Sequence, residues 1–89
     1  MRPTVFLADD HRLLLEAFRN LLEPRYKVLG TALDGREMVA KASKMQVDVV
    51  LLDIGMPNLN GFDAAVKLRK VLPQVKIIFL TMKQEAELV

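Results

Sequence analysis

Eighty-nine residues, 52% of them hydrophobic and 27% charged, make one ordinary globular domain at most, burying about 60–65% of the surface that the unfolded chain exposes. Zero cysteines exclude disulfides, thiolate catalysis and cysteine-based zinc sites, and the single histidine, His11, excludes a multi-histidine centre, so any metal must use oxygen ligands. A formal charge of +2 from 13 basic and 11 acidic residues leaves neither a basic stripe nor an aromatic platform for nucleic acid.

Met1-Arg2-Pro3-Thr4 leads straight into an apolar run, without a signal-peptide pattern. No run reaches the roughly 20 residues that span a bilayer, so a cytoplasmic protein without membrane contact is expected. Residues 5–8 read as the first strand. Leu14, Phe18, Leu21 and Leu22 then share a stripe at helical spacing, and Pro24 ends that helix. Residues 28–33, interrupted by Gly30, read as the second strand. Asp34 with Glu37 three residues on resembles a capping box ahead of Met38, Val39 and Ala42. Residues 47–52 read as the third strand. A third helix over about residues 61–72 places Phe62, Ala65, Val66 and Leu72 inward and is stopped by Pro73, before a fourth strand at residues 75–80.

Strand runs that are nearly continuous in apolar residues suit a parallel sheet buried on both faces. Their alternation with helices predicts an α/β, flavodoxin-like, doubly wound sheet of order 2-1-3-4. There is no internal repeat, low-complexity stretch or linker, and Gly30, Gly35, Gly55 and Gly61 do not form a phosphate-cradling loop.

In such sheets ligands bind beyond the carboxyl ends of the strands, where the strand order reverses. The first run ends in Asp9-Asp10-His11, the third in Asp53-Ile54-Gly55-Met56-Pro57, and the fourth in Thr81. With strands one and three adjacent, Asp9, Asp10 and Asp53 share one pocket. Three carboxylates so close repel one another and call for a cation, for which Mg²⁺ is the natural oxygen-seeking candidate. A carboxylate can also attack phosphorus to give an aspartyl phosphate, and Thr81 could donate to a phosphoryl oxygen. Taken singly, an Asp pair after a strand is most often a turn or a helix cap, and a threonine there merely a strand end. Acid, acid and hydroxyl from three strand ends at one rim are harder to produce by packing needs alone.

Together these residues resemble the receiver domain of bacterial two-component signalling, in order over the whole chain. The resemblance implies that Asp9 and Asp10 bind Mg²⁺ and that Asp53 accepts the phosphoryl group. It implies further that the Gly55 backbone carbonyl joins the metal shell, that Met56, Pro57 and Gly61 position the following loop, and that Thr81 is the switch hydroxyl. The wording Ala8-Asp9-Asp10-His11, Leu51-Leu52-Asp53-Ile54-Gly55-Met56-Pro57 and Gly61-Phe62-Asp63-Ala64 is most similar to the NarL/FixJ subgroup. Members of that subgroup usually carry a C-terminal DNA-binding helix-turn-helix, so control of transcription would need a domain absent from these residues.

The implied partner is a sensor histidine kinase, and the implied role is a phosphate acceptor rather than an enzyme in the usual sense. The family's donor histidine sits on that kinase, so His11 reads as an early helix residue beside the site. Residues 1–89 are then one receiver domain lacking its fifth strand and last helix, including the lysine that normally contacts the phosphoryl group. Lys83 does not replace that lysine, since it follows Thr81 on the same loop. Self-association through the strand edge after Val75 is expected. Two other readings are weaker: a haloacid-dehalogenase-like phosphohydrolase needs Asp-x-Asp, whereas Gly55 stands two residues after Asp53, and a non-phosphorylated interaction module leaves the acids without a use.

Overall fold

In a parallel sheet covered on both faces, each strand must present apolar side chains alternately to two layers of helix. The first strand does so. In the computed structural model, which describes residues 2–56 and 60–80, Phe6 and Ala8 point into one core and Val5 and Leu7 into a second. The elements are β1 (Thr4–Ala8), α1 (Arg12–Leu22), β2 (Lys27–Ala32), α2 (Gly35–Ala42), β3 (Val49–Asp53), α3 (Gly61–Val71) and β4 (Lys76–Leu80). The strands form a parallel sheet in the order β2-β1-β3-β4, as the sequence predicts. Val47 and Val75 precede β3 and β4 instead of opening them, yet both are buried.

The larger core holds Phe6, Met38, Val50, Leu52, Ala64 and Leu68, so α2 and α3 cover that face. On the opposite face α1 covers Val5, Leu7 and Val28 with Leu15, Phe18 and Leu22. The buried stripe of α1 is therefore centred on Leu15, whereas Leu21, expected inside, is 73% exposed. Leu15, Phe18 and Leu22 follow the helical repeat as well as the expected set does, and the sheet beneath selects between them.

In α3 the departure is larger. Gly61, Ala64, Ala65 and Leu68 are buried, while Phe62 and Val66, both expected inside, are exposed. Ala65 and Leu72 pack inward as expected. The small residues win because the start of α3 lies too close to the sheet for a large side chain.

Local chemistry fixes the helix starts. Asp34 accepts a hydrogen bond from the Glu37 amide at 2.8 Å, and the Glu37 carboxylate reaches back to the Leu33 amide at 2.8 Å. That is the predicted reciprocal cap, with its return bond one residue earlier than the usual pattern. Asn60 caps α3 by accepting from the Asp63 amide at 2.9 Å.

Candidate functional site

The register that pairs Ala8 with Leu52 sets Asp9 and Asp53 side by side at the carboxyl ends of β1 and β3. Both are buried, at 2% and 7% exposure, and burying a carboxylate is costly unless donors meet it. Each turns back on its own chain in the same way. Asp9 Oδ1 accepts from the His11 amide at 2.9 Å, and Asp53 Oδ1 accepts from the Gly55 amide at 3.1 Å. These are Asx turns, in which a short side chain captures the amide two residues on and ends the strand.

Asp10 and His11 complete the cluster from the turn between β1 and α1. One ligand atom from each of Asp9, Asp10, His11 and Asp53 lies within 4.8 Å of all the others. The His11 Nδ1 stands 2.7 Å from Asp9 Oδ1 and 3.0 Å from Asp10 Oδ1. Asp10 Oδ1 itself is shielded from solvent and has no hydrogen-bond donor among the described residues. The sequence therefore places the three acids together correctly. His11, expected beside the site at the start of the helix, is the N-cap of α1, and its ring lies against both members of the acid pair.

The loop that follows β3 is held from below and from behind. Met56 is buried in the larger core, and the Gly61 amide donates to the Ile54 carbonyl at 3.0 Å. Gly61 has to be glycine for steric reasons, because a Cβ there would sit 2.8 Å from the Asp53 carbonyl oxygen and 2.8 Å from Ile54 Cα. The Ile54 amide also meets the Leu80 carbonyl at 3.4 Å, which ties the turn to the end of β4. Pro57 and Thr81 lie outside the described residues.

A parallel α/β sheet with three acids converging at the carboxyl ends of its two central strands defines a class: a doubly wound domain with an acidic rim of the kind that attracts a hard divalent cation. The chain belongs to the response regulator receiver domain family, whose model matches residues 5–89. It is 39% identical over 79 residues to the transcriptional regulatory protein YxjL of Bacillus subtilis, covering 86% of this chain and 36% of that protein. It is 34% identical over 83 residues to the transcriptional regulatory protein DegU of Brevibacillus brevis, covering 91% of this chain and 35% of that one. The chain thus spans just over a third of the length of these relatives. Among solved structures, the signal receiver domain of a modulated diguanylate cyclase from Desulfovibrio desulfuricans superposes with a TM-score of 0.85 at 34% identity, covering 97% of this chain and 70% of that one. The relatives are transcriptional regulators, in keeping with the NarL/FixJ wording of the motifs. No helix among the described residues is long and apolar enough to cross a membrane.

Proposed function

We propose that this chain is a phosphorylation switch in which Asp53 accepts a phosphoryl group from the phosphohistidine of a sensor histidine kinase. In the transfer an Asp53 carboxylate oxygen bonds to phosphorus as the phosphorus–nitrogen bond to the kinase imidazole breaks, leaving an aspartyl phosphate and a free histidine. The observation that carries this reading is the meeting of Asp9, Asp10 and Asp53 within 4.8 Å at neighbouring strand ends.

Mg²⁺ is the cofactor that fits. It takes a few carboxylate or carbonyl oxygens and keeps several waters, a shell to which these gathered acids could contribute. The shielded Asp10 Oδ1, without a donor of its own, is the kind of oxygen a cation would satisfy. Asp9 and Asp10 would hold the ion together with Asp53 and the Gly55 carbonyl. When bound, it neutralises charge on the transferring phosphoryl group. The protein's own contribution is to fix the Asp53 carboxylate through the Gly55 amide, and to brace the turn through Met56 and Gly61; Pro57 is proposed to position the same loop.

Thr81 is the hydroxyl proposed to read the phosphoryl group. In this reading residues 1–89 belong to one receiver domain, with the lysine-bearing fifth strand past Val89 and DNA bound only through a separate C-terminal domain. The protein acts in the cytoplasm as a phosphate acceptor rather than as an enzyme in the usual sense.

The test is labelling of the full-length chain with a small phosphodonor and Mg²⁺. Wild type should take up one acid-stable, hydroxylamine-sensitive acyl phosphate and Asp53→Asn none. Undiminished labelling of the variant would place the acceptor elsewhere.

A further inference from the structure

Resting on the metal site just proposed, we infer that His11 is a built-in competitor for that site: its imidazole occupies the acid pair when the cation is absent, and Mg²⁺ must displace it to bind. The geometry is specific. Nδ1 faces two carboxylate oxygens, at 2.7 Å on Asp9 and 3.0 Å on Asp10. Such oxygens only accept, so Nδ1 is the ring nitrogen that carries a proton toward them. The Nδ1–H meets hydrogen-bond geometry toward one of the two. It bonds Asp9 Oδ1, which also takes the His11 amide, and leaves Asp10 Oδ1 without a donor.

The ring and the ion therefore want the same oxygens. A hydrogen bond from the imidazole takes up Asp9 Oδ1, an oxygen of the acid pair that a shared ion would also draw on. The ring is also a poor co-ligand for Mg²⁺, which selects oxygen, whereas imidazole suits softer metals. Solvent already reaches the ring, because the His11 side chain is 52% exposed. The Asp9 side chain is only 3% exposed and stays in place. The movement needed is a rotation of His11 into solvent, with the main chain and the Asx turn at Asp9 unchanged.

The consequence is a metal affinity set below what the three acids alone would give. Hydrogen bonds to charged groups are among the stronger ones, discounted here for the ring's exposure. On that basis removing the ring should tighten Mg²⁺ binding about three- to tenfold. Calorimetric titration of the full-length chain with MgCl₂ compares wild type with His11→Ala. In parallel, the His11 ring resonances of wild type are followed by NMR during the same titration.

The inference expects a lower Kd for His11→Ala and a His11 signal that moves to solvent-like values as the site saturates. A Kd that is unchanged or raised, or a His11 signal indifferent to saturation, overturns it while wild-type binding stands. Absence of saturable Mg²⁺ binding in both proteins would overturn the underlying metal site as well.

Discussion

Gly61 leaves no room for a side chain beside Asp53: α3 begins so close to the end of β3 that a single added carbon on Gly61 would lie 2.8 Å from the Asp53 carbonyl oxygen. The first helical residue thus braces the turn that carries the candidate acceptor. Gly61→Ala should push the helix and that turn apart. Overpacking of this kind costs about 1–3 kcal/mol, and the displaced turn should also slow phosphoryl uptake at Asp53. Urea unfolding and the labelling rate check the two effects. Unaltered stability would mean that the loop relaxes freely around the new methyl group.

The acid pair carries an opposite expectation. Asp10 Oδ1 is shielded and lacks a donor among the described residues, so without a cation it destabilises the fold. Asp10→Ala should raise the unfolding free energy of the metal-free protein by up to about 1 kcal/mol, the low end of the cost of an unsatisfied polar group because the side chain is partly exposed. The same substitution should weaken Mg²⁺ binding. Thermal melts with and without MgCl₂ read both, and the stabilisation that the metal gives wild type should vanish in the variant. An Asp10→Ala protein stabilised by Mg²⁺ as much as wild type would remove Asp10 from the metal shell.

Away from the site, the reciprocal cap of α2 makes stability depend on pH. The Leu33 amide, and after it the Lys41 ammonium 2.7 Å away, hold the Glu37 carboxyl below its ordinary value of 4.5. A depressed carboxyl favours the folded state while it is ionised. Its contribution is complete above pH 4.5 and is lost as the pH falls through the lower folded-state value. Glu37→Gln should therefore be less stable than wild type at pH 7, by under about 1 kcal/mol given the partial exposure of the group. The two proteins should converge on acidification. A difference that stays constant from pH 7 to pH 3 would show that ionisation of Glu37 contributes nothing.

Strand order, helix order and the meeting of the three acids were all legible from residue type and spacing, because a parallel sheet with short crossovers allows few arrangements. Helix faces were not. In α3 the pattern Gly61, Ala64, Ala65 and Leu68 follows the helical repeat closely, but three of the four are small and weigh little beside Phe62 and Val66. What decides is how closely the helix approaches the backbone of β3, a distance no composition carries. The contacts of the His11 ring were not legible for a related reason. Its position against both acids is set by the N-cap backbone and by the Asx turn at Asp9, two features that only the folded chain brings together.

The residues of α3 that face outward point to the final prediction. Phe62 and Phe79 stack with their ring centroids 4.8 Å apart at 46°, joining the outer side of α3 to β4. Beside them Val66 and Ile78 are 58% and 51% exposed, and among the described residues β4 pairs with β3 alone. An apolar strand edge beside an aromatic cluster is a template for another strand. The 89-residue chain by itself should therefore associate through β4 as its concentration rises, and Ile78→Lys, which sets a charge on that exposed strand, should shift the equilibrium toward monomer. Sedimentation equilibrium of both proteins measures this. A wild-type chain that stays monomeric and unfolds cooperatively at high concentration would show that the edge of β4 recruits no partner strand.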